Sequence, residues 1–415
     1  MPYVFAFGME ERFVARKNYC FLYDAKRRLL LVLCLALLCS AAMAENRVSI
    51  SAEGEDWMNY AFTLPDGRMI FAGSRGQVGN YQESKARLLC LNPDRTVAWE
   101  YFDPATGHAH YNGAALLEDG LIGVVFTNSP YQETEAIEIR KFSTDGEPIG
   151  EAIDIFEDGK TGSLVNSITS ACIQMDVYTE EGEERYGFID WDGHLIFSIG
   201  RKEMIGLRKT FAAENGLVLA GNETGGSANA KIMKLDMQGN IVWETVLPMM
   251  MEKGARAWID IRSIQTPDGG YLAWVLESDY NSDQWAHALV RFNDNGRILW
   301  INRESFDNTP TIGCSGLIEY QGKAVMLVRN DDLRRTQNYR WFDTDGKEIG
   351  KTELTVPRED AGAVSDKDTV AVMPQSLIVM DDGLWVLNDL RIQDDNALKE
   401  MDSKEDVLYK VPELN

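Results

Sequence analysis

An all-β chain of repeated four-stranded units is what the sequence predicts, on three observations. The stretch Arg256 to Trp300 reads as two hairpins in tandem. Two independent ladders of turns recur along the chain with a shared period near 50 residues. The mature chain begins with one orphan strand and ends one strand short. Four-stranded units of roughly 40 to 50 residues that repeat in this way are the signature of a β-propeller. Each unit has two apolar faces, so neighbours must stack around an axis to bury them.

The tandem hairpins set the pattern. Arg262 to Thr266 is a strand, turned by Pro267-Asp268-Gly269-Gly270, and Tyr271 to Glu277 is the second strand. A polar loop, Ser278 to Gln284, leads to Ala286 to Phe292; Asn293-Asp294-Asn295-Gly296 then turns into Arg297 to Ile301. Asp or Asn followed by Gly between apolar runs marks a tight hairpin, because these residues tolerate positive φ.

The chain opens on a targeting segment. Lys26-Arg27-Arg28 precedes an apolar run from Leu29, and Ala42 and Ala44 form a small-x-small site. This is a secretory signal with cleavage after Ala44. The apolar stretch from Leu29 to Ala44 has 16 residues, short for a membrane span. Residues 1–44 are therefore read as a leader and 45–415 as one propeller domain. That places the protein outside the cell, or in the periplasm if the source has an outer membrane.

The segment before Glu45 holds 6 basic and 3 acidic residues, so the mature chain carries 35 against 62, a net of −27. So acidic a surface repels phosphate backbones and anionic lipid, which argues against nucleic acid and against a membrane surface as partners. Cys90, Cys172 and Cys314 remain after cleavage, an odd number in strand-like apolar runs, read as buried thiols.

The first turns align on a glycine at Gly67, Gly120, Gly216, Gly269, Gly322 and Gly383. The gap between Gly120 and Gly216 spans two periods, and residues Ser163 to Glu181 fill it as a degenerate first hairpin of unit three. The second ladder runs LNPDRTVAW (91–99), FSTDGEPI (142–149), IDWDGHLIF (189–197), LDMQGNIVW (235–243), FNDNGRILW (292–300) and FDTDGKEI (342–349). Seven blades result if Arg47 to Ser51 supplies the strand that the last unit lacks, which removes an open edge. Six and eight stay open because unit three is degenerate.

TPDGGYLAW, a polar loop and then ALVRFNDNGRILW resemble secreted bacterial propeller repeats of the quinoprotein-like (PQQ-like) superfamily, in which a final G-x-x-x-W recurs. The resemblance covers residues 46 to 415. It implies the propeller fold, and a choice between quinone-dependent dehydrogenases and non-catalytic scaffolds. Many of those dehydrogenases carry a vicinal cysteine pair, absent here. The resemblance is therefore to the branch that binds no quinone, with no cofactor expected. Trp99, Trp243 and Trp300 keep the repeat tryptophan while Ile149, Phe197 and Ile349 replace it, which reads as packing between blades. The sialidase aspartate box, D-x-G-x-T-W, is not matched by Asp294 to Trp300, where the tryptophan comes one residue late.

Alternating strands put both tight turns of every unit on one face and the long connections, such as Gly73 to Lys85 and Ser278 to Gln284, on the other. Binding residues concentrate on such loops. The expected ligand-binding set is Tyr81, Tyr111, Tyr131, Tyr280 and Trp285 from that face, with Trp258, Asp260 and Arg262 on an innermost strand beside the channel. An ion pair that only supports structure is the plainer reading of Asp260 and Arg262. His108 and His110 share one strand face and are weak metal candidates, since two ligands fall short of a site. Asp343-Thr344-Asp345-Gly346 reads as a hairpin turn rather than a calcium loop. The function expected is a secreted, non-catalytic binding or scaffold module for an extracellular protein or glycan, acting through the long-loop face. The alternative is a propeller enzyme that cuts a glycan with channel-mouth carboxylates.

Overall fold

The computed structural model describes residues 46–50, 55–77, 80–105, 107–129, 136–155, 165–179, 181–201, 206–222, 229–247, 257–279, 284–307, 313–329, 335–358, 369–393 and 402–414. The chain divides into two units, Met1–Val48 and Ser49–Asn415. Of the first, only residues 46–48 are described, so the leader lies outside the described residues.

Strand β1 (Arg47–Ser49) opens the described chain. Blade one is β2 (Glu55–Thr63), β3 (Met69–Gln77), β4 (Asn80–Leu91) and β5 (Val97–Phe102). Blade two is β6 (His108–Leu116), β7 (Ile122–Ser129), β8 (Ala136–Phe142) and β9 (Pro148–Asp154). Blade three is β10 (Val165–Ile168), β11 (Ile173–Tyr178), β12 (Glu184–Ile189) and β13 (Leu195–Gly200). Blade four is β14 (Gly206–Ala213), β15 (Gly216–Asn222), β16 (Ala230–Asp236) and β17 (Ile241–Val246). Blade five is β18 (Ala257–Gln265), β19 (Tyr271–Asp279), β20 (Gln284–Phe292) and β21 (Ile298–Asp307). Blade six is β22 (Gly313–Tyr320), β23 (Lys323–Arg329), β24 (Thr336–Phe342) and β25 (Glu348–Thr355). Blade seven is β26 (Thr369–Met380), β27 (Gly383–Gln393) and β28 (Asp402–Lys410), with β1 as its outermost strand.

The fold is thus a seven-bladed β-propeller of four-stranded antiparallel sheets, and the N-terminal strand completes the last blade. The first strand of each blade touches the first strand of the next, from β2 round through β26 and back to β2, so these seven line the axis. The degenerate stretch of unit three forms β10 and β11, joined at a turn where Thr169 N–H bonds Cys172 O at 2.9 Å. Two expected loops turn out to be strand. Gly73 to Lys85 belongs to the hairpin of β3 and β4, which stays paired out to Gln77 and Asn80. In blade five the pairing runs on to Asp279 and Gln284, leaving a connection of only residues 280–283.

The second turns close by Asx chemistry. Asp343 Oδ1 accepts from the N–H of Asp345 at 3.0 Å and of Lys347 at 2.8 Å, and Asn293 Oδ1 does the same for Asn295 and Arg297. The carboxylate of Asp343 is thereby spent on backbone, as a hairpin turn requires.

Apolar residues of facing sheets build a core at six of the seven seams between neighbouring blades, from the first to the seventh, rather than one central core. The repeat tryptophan works at these seams. Trp300 of blade five lies on Gly346 in the turn of blade six, where an added Cβ would come within 2.3 Å of the indole ring. Its Nε1–H donates to Thr344 O at 2.7 Å. Trp243 covers Gly296 and Trp99 covers Gly146 in the same way, with Phe197 and Ile153 standing in at other seams. Each of these glycines also holds a positive φ, so glycine is required twice over. At the first blade Arg95 replaces the glycine, at φ 69°, and its guanidinium lies 4.3 Å over Trp385 of blade seven while pairing with Asp382.

Candidate functional site

The central channel is shaped by an irregularity that recurs. Six of the seven innermost strands carry a β-bulge at one level, after Met58, Tyr111, Val165, Leu207, Cys314 and Pro374. A bulge inserts one unpaired residue and bends the strand. The inserted residues are Asn59, Asn112, Asn166, Arg208, Ser315 and Gln375, all polar. β18 alone keeps an unbroken register, from Ala257 opposite Asp279 to Gln265 opposite Tyr271.

Tyr60, next to the first bulge, reaches from blade one to blades three and four. Its hydroxyl reaches Ile168 O of blade three at 3.5 Å, and its ring lies 6.0 Å from Lys209 Nζ of blade four. Gly113 makes room for it: a Cβ there would sit 2.8 Å from Ile168 Cδ1 and 3.4 Å from the tyrosine ring. Desolvation raises the Tyr60 pKa, so the ring stays neutral.

The other side of the channel is open. A cavity of about 930 Å³ is bounded by the innermost strands of blades four to seven. Arg208, Lys209, Ser315, Gly316, Gln375 and Ser376 line it at the bulge level, followed by Ser263, Ile264, Leu317 and Leu377. Thr266, Pro267, Gly269 and Val379 line its far end, so the cavity opens on the face of the tight turns. First and second turns do share that face: Arg68 of a first turn pairs with Asp145 of the next blade's second turn at 3.1 Å. At the mouth, Arg291 holds Asp268 at 2.6 Å and Glu319 at 3.5 Å. The two carboxyls are pushed apart. Burial raises Glu319; Asp268 is partly desolvated, but its bonds to Arg291, Thr266 and Gly270 prevail and draw it down to about 2.

The expected binding residues fall in three groups. Tyr111 is fully buried inside β6, not on a connection, and its hydroxyl donates to the buried Asp103 Oδ2 at 3.3 Å beside Arg140. This is an interblade core position, a correction to its expected place on the loop face. Tyr131 and Tyr280 lie outside the described residues. Tyr81, Trp258, Asp260, Arg262 and Trp285 have described backbone only, Tyr81 in β4, Trp285 in β20 and the other three in β18. Register relates four of these. Trp258 pairs with Ser278, Ser278 with Trp285, and Trp285 with Phe306, so the positions of both tryptophans stand in one cross-strand row. By the alternation of strands, positions 258, 260 and 262 fall on the same face of blade five as Leu276 and Trp274, the face packed on blade six.

The two histidines do share a face, with ring centroids 5.4 Å apart. His108 Nδ1 lies 2.8 Å from Ser84 Oγ, and His110 Nε2–H donates to Asn112 Oδ1 at 2.9 Å. Burial, aided by His108, lowers the His110 pKa. Among the described residues no group of three or more His, Cys, Asp or Glu side chains gathers into a metal-sized cluster.

The bulge residues are absent from the expected set, yet the sequence carries their mark. A polar residue stands eight before Gly67, Gly120, Gly216 and Gly383 and seven before Gly322.

No protein-family profile matches the chain, and no curated protein matches it in sequence. Among solved structures it is similar to the β-propeller domain of the trilobed protease from Pyrococcus furiosus, at 10% identity and TM-score 0.39 over 71% of this chain and 84% of that one. It is similar to the quinohemoprotein alcohol dehydrogenase from Comamonas testosteroni, at 9% identity and TM-score 0.40 over 89% and 77%. It is also similar to prolyl oligopeptidase B from Galerina marginata, at 12% identity and TM-score 0.44, covering 88% of this chain but only 52% of that one. Likeness at such identities is one of fold alone.

Proposed function

We propose that the protein is a secreted, non-catalytic binding module that engages an extracellular protein or a glycan through the face of its long connections. The cross-strand row of Trp258, Ser278, Trp285 and Phe306 supports this reading best. It stands where blade five runs on past the level of the bulges, toward that face. Among the described residues blades one, two and seven also extend there, whereas the innermost strands of blades three, four and six are described to within two residues of their bulges. Aromatic rows beside such relief suit stacking on sugar rings or anchoring a protein contact.

The test is a glycan array together with pull-down from extracellular material. The double variant Trp258→Ala/Trp285→Ala should lose the captured partner while its melting temperature stays close to that of the parent. Asp345→Asn, in a turn on the opposite face, should keep it. Retention by the tryptophan variant would refute the proposal. Export is tested by N-terminal sequencing of exported material, with Glu45 expected as its first residue.

One observation favours the second reading, glycan hydrolysis. Glu319 and Asp268 share Arg291 at a channel mouth, one carboxyl raised and one lowered, the division of labour a glycosidase uses. Hydrolysis of any glycan that Glu319→Gln abolishes would support this reading over binding alone.

A further inference from the structure

The cavity between blades four and seven opens away from the long-connection face, and its lining has a chemistry of its own. The chain as a whole carries a net charge of −24, yet the cavity floor holds two cations, Arg208 and Lys209. Lys209 is engaged with the Tyr60 ring. Among the described residues Arg208 makes no ion pair or hydrogen bond, although it stands beside open channel on a bulge that removes it from the sheet pairing. An arginine beside open channel, with no partner among the described residues, is a ready receptor for a carboxylate.

A second, independent feature points the same way. Ser263 lines the cavity, is only 7% exposed, and its hydroxyl has no hydrogen-bond partner. At this strand level blades six and seven carry Leu317 and Leu377, which face the same cavity. A buried hydroxyl left unsatisfied destabilises the fold, a cost that an acceptor entering the cavity would remove. Together these place a cation at the inner end and, one level nearer the mouth, a hydroxyl donor among aliphatic walls. Gly316, on the floor, keeps the space clear: a Cβ there would already lie 3.1 Å from Leu377.

We infer that this half-channel is a binding site for a small organic anion, a monocarboxylate with an apolar body. The carboxylate is received by the Arg208 guanidinium and the Ser263 hydroxyl. The body lies along Ile264, Leu317 and Leu377. Lys209, facing the Tyr60 ring, marks the inner limit, and the volume suits one ligand of drug-like size. Glu319, answered by Arg291 at the mouth, repels dianions and favours a single negative charge.

The test uses the exported protein and 2-naphthoate as probe, followed by calorimetry at neutral pH, with the neutral 2-naphthalenemethanol as its uncharged counterpart. Binding of 2-naphthoate at one site per chain is expected, with the alcohol weaker by about tenfold or more, the scale of a charge-assisted hydrogen bond. Arg208→Ala should weaken naphthoate by about the same factor and leave the alcohol nearly unchanged. Ser263→Ala should weaken it less. Arg208 is exposed to the channel, so its replacement leaves the blade cores intact, and an unchanged melting temperature verifies this. Absence of naphthoate binding by the parent, equal binding of acid and alcohol, or full affinity in Arg208→Ala would each overturn the inference. None of these outcomes bears on the tryptophan variants of blade five.

Discussion

The Asp406 carboxylate accepts a hydrogen bond from the Met58 backbone N–H at 2.7 Å, and so ties the last blade to the first. Met58 sits at the β2 bulge, where the register breaks, and Asp406 is fully buried on β28. The same residue's carbonyl accepts from Ile50 N–H at 3.1 Å, and Arg87 Nη2 donates to Ile50 O at 3.0 Å. One aspartate therefore serves both the closing strand and the first innermost strand.

Asp406→Ala should destabilise the ring by about 1–3 kcal/mol or more, because it leaves a buried N–H unanswered. Removing residues 45–52 should lower the melting temperature further, since it bares the edge of β28. Thermal unfolding followed by circular dichroism decides both; unchanged midpoints would mean that closure lies elsewhere.

Gly346→Ala should cost clearly more than Gly269→Ala. Both glycines hold a positive φ, at 78° and 82°, but nothing lies within 4 Å of a Cβ at Gly269, whereas Trp300 fills that space at Gly346. The backbone share is about 1–2 kcal/mol in each, and overpacking adds about 1–3 kcal/mol at Gly346 only. In a Trp300→Ala background the two substitutions should cost nearly the same in denaturant unfolding.

Stability should fall as the solution is acidified through the range of an ordinary histidine. His287 is buried against Glu304 and Arg340, and burial lowers its pKa despite the neighbouring carboxylates. The unfolded chain then binds the proton more readily than the folded one, so this contribution is complete above about pH 6.5 and is lost as pH falls toward the lowered folded value. Urea midpoints measured across that range should slope upward with pH, and His287→Gln should flatten the slope.

Thiol reagents at pH 8 should label none of Cys90, Cys172 and Cys314 in the native protein and all three after unfolding. All three are buried, and desolvation pushes Cys90 up to about 11 and Cys172 up to about 12. Mass spectrometry of labelled peptides reads the result; native labelling at any of the three would show an opening that this packing does not allow.

Much of this protein was determined by the sequence alone, because the information was local. An Asp-Gly or Asn-Gly turn needs only its own residues to close, so Gly269 and Gly296 reveal two hairpins wherever they lie. Period then follows from turns; the degenerate turn of unit three left six, seven or eight blades open, and the structure decided for seven. That the repeat tryptophans pack between blades is legible too, although their seat on the glycine of the next blade's turn is a finding of the structure. Tertiary structure decided what depends on residues far apart. That Tyr111 is core rather than surface follows from the Asp103 and Arg140 that meet it. That Trp258 and Trp285 share a row follows from a register that extends past the expected strand ends. Tyr60 of blade one and Lys209 of blade four hold the same place in their repeats, just after the bulge, yet only the structure shows that they meet across the channel. Repetition specifies how neighbours pack; the axis is where seven different blades meet, and its contents are set by their differences.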